Sequence, residues 1–318
     1  MIDNDPLYVV TSYFNPMRWK SRKRLYDAFA KHMQDSGVIL YTHEIAFGDR
    51  PYEVTDKNNK FHIQSRTKNE LWLKENALNL AVQRLPENWK YVAWIDADIT
   101  FVRPDWAEET KQCLQHDPVV QMWSVAQDMA PDFTPVQTFQ SFAYCYRNNI
   151  KRASSLSEAK NLNDYYGNQE YAYRHPGFAH AMTRQAWDDL GGLIDFAILG
   201  SADYSQCMAL IGEAEKTLPA KIDNGYKEQV LIWQDRALKY IAGNFGYVPG
   251  TIMHSHHGPK RFRHYKERWS ILVDNKFDPE FDLKRDAFGL WQLTDRNPKL
   301  HRDIAKYFAE RCEDSLEI

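Results

Sequence analysis

The strongest constraint on this chain is the way short apolar runs and amphipathic stretches take turns through its first hundred residues. Leu7–Thr11 (LYVVT) and Tyr91–Ile95 (YVAWI) are almost wholly apolar, and Val38–Ile45 lies between them. Runs of this length without polar alternation read as strands buried on both faces. Ser21–Gln34 carries Leu25, Ala28, Phe29 and Met33 at helical spacing, and Asn69–Arg84 carries Leu71, Leu73, Ala77, Leu78, Ala81 and Val82. Both read as amphipathic helices. Gly37 serves as a C-cap for the first, and Pro86 and Asn88 close the second. Polar Asp49–Asn59 reads as a loop. Strand, helix, strand, helix, strand implies right-handed crossovers and a mainly parallel sheet with helices on its faces. Ligands of such sheets bind beyond the carboxyl ends of the strands. Thr11–Asn15, Glu44 and Asp96–Asp98 fall at those ends, so three strands deliver polar groups to one edge.

Further along, Trp106–Gln115 reads as a helix and Val119–Ser124 as a strand. Arg184–Leu190 is a helix closed by Gly191-Gly192, and Tyr204–Ile211 and Glu228–Ile241 are two more. Gly246–His254 is a late strand, and His301–Cys312 a last amphipathic helix. Ser154–Tyr171 is polar and long, a candidate lid or acceptor loop. Tyr165, Tyr166, Tyr171 and Tyr173 crowd it, where stacking on a sugar or base is reasonable. Trp72, Trp89, Trp94, Trp106 and Trp123 read first as core.

Composition removes several function classes. A chain of 318 residues with 43% hydrophobic and 26% charged content is globular. A net charge of −3 argues against a strongly basic nucleic-acid binder. Cys113, Cys145, Cys207 and Cys312 form no C-x-x-C pair, which suits a reduced cytoplasmic protein without a zinc site. No apolar stretch of ~18 residues predicts a membrane span, and the N-terminus shows no signal-peptide pattern.

The pair Asp96 and Asp98 directly follows the buried YVAWI run. Two carboxylates there are costly unless something positive meets them. A divalent cation, Mg²⁺ or Mn²⁺, suits hard oxygen ligands and bridges to phosphate oxygens. Against this stands a solvated acidic turn, since D-x-D alone is common. Downstream, His254, His256 and His257 crowd one short segment, and on a strand His254 and His256 would share a face. Lys260, Arg261, Arg263, Lys266 and Arg268 follow, interleaved with aromatics. They suit a diphosphate, a solvated basic helix, or a nucleic-acid backbone.

WIDADITF resembles the D-x-D signature of GT-A fold glycosyltransferases, which holds a metal against the diphosphate of a nucleotide sugar. YVVTSYFNP is similar to the first strand of that fold, whose end meets the base. HPGFAHAMTRQAWDDLGGLIDFAILGSADYSQCMAL resembles its acceptor-side segment, and HSHHGPKRFRHYKERW its C-terminal metal and phosphate segment. The resemblance spans roughly residues 7–270, and the overall pattern is similar to glycosyltransferase-like proteins of tailed bacteriophages.

The resemblance implies a Rossmann-like mixed, mainly parallel sheet flanked by helices. It implies a catalytic domain over 1–258, with a nucleotide-sugar half at 1–125 and an acceptor half at 126–258. Residues 259–318 follow as a basic lid segment and helix packed on the same domain. It implies Asp96, Asp98 and His254 as metal ligands, with an imidazole favouring Mn²⁺ over Mg²⁺. Asp96, His257, Arg263, Tyr265 and Arg268 are expected at the donor diphosphate, and Thr11, Tyr13, Glu44, Lys74 and Asn76 around the rest of the donor. Arg66 and Lys68 lie near that last group.

Asp203 matches the general base of inverting members; it equally suits the cap of the helix near Tyr204. Where the family often shows Glu-Asp, this chain has Ala202-Asp203. The implied reaction moves a sugar from a nucleoside diphosphate, by family habit UDP, to an acceptor hydroxyl. The acceptor is a glycan or lipid, or a hydroxymethylated base of phage DNA, in which case the enzyme works in the host cytoplasm. Two other classes compete: a nucleotidyltransferase, against which TSYFNPMRWK lacks a glycine-rich phosphate loop, and a non-catalytic sugar-binding protein.

Overall fold

Eight residues, Leu7–Phe14, form β1 and send alternate side chains into two separate apolar clusters. Leu7 and Val9 join Phe29, Met33, Ala93 and Ile95 on one side. Tyr8 and Val10 join Leu78, Ala81, Val92 and Trp94 on the other. This two-sided burial is why the strand reads as a continuous apolar run. The protein is described here from a computed structural model covering residues 5–150 and 174–318. The predicted loop Ser154–Tyr171, with Tyr165, Tyr166, Tyr171 and Tyr173, lies outside the described residues.

Among the described residues the other strands are β2 Ile39–Phe47, β3 His62–Thr67, β4 Tyr91–Ile95, β5 Ile99–Phe101, β6 Val119–Gln121, β7 Val125–Met129, β8 Pro135–Gln140, β9 Ala179–Thr183, β10 Phe245–Tyr247, β11 Thr251–His254, and β12 Leu283–Arg285 and β13 Trp291–Leu293, which form a C-terminal hairpin. The central sheet has 7 strands in the order β10-β6-β9-β4-β1-β2-β3. All neighbours are parallel except β9, which runs antiparallel to both β4 and β6. Helix Lys20–Asp35 covers one face with Tyr26, Phe29 and Met33, and helix Lys74–Val82 covers the other. A second sheet of 4 strands, β5-β11-β7-β8, stands beyond the end of β4. The architecture is α/β, with a mostly parallel central sheet flanked by helices.

Several expectations change. Strand β3 (HIQSRT) is too polar to announce itself, yet it pairs parallel with β2 across a loop with no helix between. The strict strand–helix alternation therefore fails there. Helix Lys74–Val82 starts later than Asn69, because the Trp72 amide bonds the Ile198 carbonyl and holds 69–73 away from helical geometry. The late run 246–254 breaks at Pro249-Gly250 into β10 and β11, which serve different sheets. The basic segment is not one helix. It is a 3₁₀ turn, Lys260–Arg263, then His264 at φ 46°, then helix Arg268–Asp274. The last helix, Pro298–Glu310, is capped by the Asn297 side chain and puts Leu300, Ile304, Tyr307 and Phe308 into the same core as Tyr8 and Val10. Residues 259–318 thus share the main core. Among the described residues no helix is long and apolar enough to cross a membrane.

Candidate active site

The chain leaves β4 through a tight turn in which the Ile99 amide bonds the Asp96 carbonyl, while the Asp96 amide bonds the Phe178 carbonyl. The turn aims Asp96 and Asp98 in different directions. Asp96 forms an ion pair with Lys74, the first residue of its helix. Burial raises the Asp96 carboxyl and Asp98 adds to this, against the pull of Lys74. Lys74 loses charge stability to burial, yet Asp96, Glu75 and Asp203 together hold it above the usual lysine range.

Asp98 instead turns toward β11. Its Oδ2 lies 3.1 Å from His257 Nε2 and 3.6 Å from His254 Nε2, and the two Nε2 atoms are 3.2 Å apart. Burial disfavours the Asp98 anion, but the two imidazoles hold its carboxyl well below the ordinary range. Its Oδ1 is buried and accepts no hydrogen bond among the described residues. The ligand atoms of the three side chains all lie within 4.8 Å of one another. An orphaned carboxylate oxygen and two converging imidazole nitrogens suit a divalent cation, and the mixed oxygen and nitrogen donors suit Mn²⁺ better than Mg²⁺.

His254 is held from behind. Strand β11 pairs in parallel with β7, opposing His254 to Asp128, and the His254 Nδ1 lies 2.6 Å from the Asp128 carboxylate. Lys260 pairs with the same carboxylate and donates to Gln137 Oε1 at 2.8 Å. An acceptor at Nδ1 fixes the ring so that Nε2 faces the site, the arrangement that orients metal-binding histidines. Burial opposes charge on His254, but Asp98 and Asp128 overcome it and raise its pKa to about 9. His257 moves the other way, to about 4, through burial and the nearby Arg263. Charge is thus favoured on one imidazole and disfavoured on its neighbour.

The sequence-predicted residues divide clearly. A cavity of about 830 Å³ is lined by Tyr13, Lys74, Asp96, Asp98, Asp203, His254, His257, Arg263, Tyr265 and Arg268 together. Arg263 donates to Tyr265 Oη at 3.1 Å and lies 3.0 Å from His257 Nε2, while Arg268 bonds Ser201 and stands over the Tyr265 ring at 5.0 Å. The Nε atoms of both arginines are buried and find no partner among the described residues. Asp203 sits in the first turn of helix Ala202–Leu210 rather than at its cap, which is Ser201. Its Oδ1 accepts from the Tyr204 amide at 2.8 Å. Its Oδ2 approaches Gly177 so closely that a Cβ there would stand 2.7 Å away.

Thr11, Glu44 and Asn76 do not line the cavity. Thr11 spends its hydroxyl on the Ile95 carbonyl at 2.8 Å, locking β1 to β4. Glu44 is 2% exposed and accepts from the amides of Glu53, Val54 and Thr55 and from the Thr55 hydroxyl, so it shapes the loop after β2. Asn76 bonds the Gly289 carbonyl and the Trp291 amide, pinning a C-terminal hairpin. Arg66 is occupied by the Gly48 and Arg50 carbonyls. Tyr13 reaches the cavity, with its phenol donating to Glu53. His256 does not share a face with His254: β11 ends at His254, and the His256 Nε2 meets the Ser315 carbonyl at 2.9 Å. Nor does Asp96 join the Asp98–His254–His257 group, because Lys74 holds it. Of the tryptophans, Trp72 lines the cavity, while Trp89, Trp94, Trp106 and Trp123 are core.

Sequence reasoning missed Asp128 and the C-terminal strap. Glu313 is 3% exposed, accepts from Arg22 at 2.7 Å and from Arg311 at 2.8 Å, and lies 3.9 Å from His257 Nδ1. Asp314 receives the Lys20 and Ser21 amides at the start of helix Lys20–Asp35. Gly258, at φ +84°, lets the strap pass, since a Cβ there would stand 2.4 Å from the Cys312 carbonyl oxygen. The one available signal for Asp128 was an acid inside an apolar strand pattern, VAQDM. Nothing local marks Glu313.

No family model matches the sequence, and no curated protein matches it. Among solved structures it is similar to the catalytic domain of Drosophila beta1,4-galactosyltransferase 7 in complex with xylobiose, at 10% identity and a TM-score of 0.36, covering 88% of this chain and 86% of that one. It is also similar to S. aureus TarS 1–349 in complex with UDP-GlcNAc, at 10% identity and a TM-score of 0.35, covering 74% and 73%. A putative nucleotide-diphospho-sugar transferase from Desulfovibrio desulfuricans G20 follows at 13% identity and a TM-score of 0.28, covering 79% and 81%. At such identities and scores the likeness is one of coarse shape.

Proposed function

We propose that this protein is a metal-dependent glycosyltransferase that moves a sugar from a nucleoside diphosphate donor, UDP in our assignment, to an acceptor hydroxyl. One observation carries the reading. Asp98, with its orphaned buried oxygen, converges with His254 and His257 in the same cavity as two arginines with unspent buried Nε–H groups and the carboxylate of Asp203. A cation held by Asp98, His254 and His257 would supply Lewis-acid stabilisation to a departing diphosphate.

The chain's own groups then divide the work. Arg263 and Arg268 receive the charge that builds on the leaving diphosphate. Lys74, held beside Asp96, adds a fixed positive charge at the carboxyl end of β4. Asp203 takes the proton of the acceptor hydroxyl as its oxygen bonds the anomeric carbon. The bond from that carbon to the diphosphate oxygen breaks at the same time, and its electron pair leaves with the diphosphate. Attack from the face opposite the leaving group gives inversion.

The test is release of UDP from UDP-glucose, UDP-galactose and UDP-N-acetylglucosamine with Mn²⁺, alongside calorimetric binding of UDP. The expected result is Mn²⁺-dependent UDP binding by the wild-type chain and turnover of at least one donor. Asp98→Ala should lose both while keeping the wild-type circular dichroism spectrum. Unchanged turnover in that variant would remove the assignment. Metal-independent binding of UDP would do the same.

A further inference from the structure

The mechanism above leaves the acid next to Lys74 unused. Glu75, the second residue of helix Lys74–Val82, is 5% exposed, yet it lines the cavity. Among the described residues no other side chain donates a hydrogen bond to its carboxyl. Its neighbour Lys74 is committed to Asp96. Its own backbone amide is the donor it has; a nine-tenths buried carboxyl with the rest of its hydrogen-bonding capacity unfilled is costly, and the open side here is the cavity.

Its surroundings narrow what fills that capacity. Glu75, Lys74 and Asp203 line the same cavity, and the charges of both acids act on the Lys74 ammonium. Asp203 has Oδ1 on the Tyr204 amide and Oδ2 turned toward Gly177 at the cavity wall. Burial raises the Glu75 carboxyl to about 7, against the pull of Lys74 and with help from the Asp203 charge. Near neutrality such a group both donates and accepts, as a hydroxyl partner requires. A cation is a poor occupant beside Lys74, and an anion a poor one between two acids. A neutral polyol fits.

We infer that Glu75 is an acceptor-binding residue that grips the hydroxyl next to the one Asp203 deprotonates, so that the acceptor is a sugar ring or polyol bearing neighbouring hydroxyls. This rests on the glycosyl-transfer reading and deepens it. A lone hydroxymethyl group on a nucleobase offers only one of the two hydroxyls.

The test uses the full chain with UDP and Mg²⁺, observed by saturation-transfer NMR. The probes are methyl β-D-glucopyranoside, methyl α-D-mannopyranoside, glycerol and a 5-hydroxymethyldeoxycytidine oligonucleotide. At least one polyol should bind the wild type. Glu75→Met should weaken it about 10- to 100-fold, the loss of a hydrogen bond to a charged or partly charged group. The isosteric Glu75→Gln should lie between, and it carries the test alone if Glu75→Met does not fold. UDP affinity should stay within about twofold, since a purely structural partner of Lys74 would disturb the donor side as well. No polyol binding to the wild type, polyol binding indifferent to Glu75, or preferential binding of the oligonucleotide would each overturn the inference. Intact UDP binding with any of these sinks it alone. Failure of UDP to bind the wild type sinks the donor reading and takes this one with it.

Discussion

Replacing Asp128 tests whether the carboxylate behind His254 builds the cation site. The His254–Asp128 contact is 2.6 Å long between side chains 6% and 7% exposed, so it is a buried, charge-assisted hydrogen bond. Such a bond contributes about 1.5–3 kcal/mol, which corresponds to about 10- to 100-fold in an equilibrium constant. Losing an acid behind a metal-binding histidine costs a similar factor in metal affinity. Asp128→Ala should therefore weaken Mn²⁺ binding about 10- to 100-fold, measured by calorimetry in the presence of UDP. Asp128→Asn, which keeps an acceptor for Nδ1 without the charge, should fall between. The same substitutions leave Lys260 buried without its counter-ion, a separate cost to the fold. The double variant Asp128→Asn, Lys260→Gln removes that cost, so its thermal midpoint in chelator should recover while its Mn²⁺ affinity stays low. Mn²⁺ affinity within twofold of wild type in all three variants would refute the reasoning.

Two further outcomes follow from the same geometry. His254 has its pKa raised from 6.5 to about 9, against burial, by Asp98 and Asp128. The protonated form is thus favoured in the folded state, and its stabilisation is fully present below about pH 6.5 and lost as pH rises through 9. Chelator-treated protein should then melt progressively lower between those values; a midpoint that is flat or rises there would contradict the assignment. Gly258→Ala must place a Cβ 2.4 Å from the Cys312 carbonyl oxygen at a φ of +84°. It should cost about 1–3 kcal/mol in urea unfolding, and an unchanged midpoint would show that the strap yields freely.

Much of the candidate site was legible because its chemistry is local. Asp96 and Asp98 were conspicuous because they end a strand of five buried residues, where bare charge is costly. His254, His257, Arg263 and Arg268 stood out by density of one residue type. Less visible was the use each makes of its neighbours. Thr11, Glu44 and Asn76 sit where ligand contacts were expected, but each is consumed by a backbone group that only the folded chain brings near. Glu75 sat beside Lys74 in the sequence and was passed over, since nothing local says that its carboxyl opens on a cavity.

The sequence by itself determined that β1 and β4 are buried on both faces, that helices cover them, and that two acids stand at the end of β4. These follow from apolar periodicity and the cost of burying charge, which neighbouring residues express without help. Only the tertiary structure decided that β9 enters antiparallel between β4 and β6, that Asp96 goes to Lys74 while Asp98 goes to two histidines, and that Asp128 and Glu313 stand behind them. Asp128 is 126 residues from His254 and Glu313 is 291 from Arg22. The meeting of such residues depends on how the chain crosses between sheets and where its last helix packs, which local patterning does not encode.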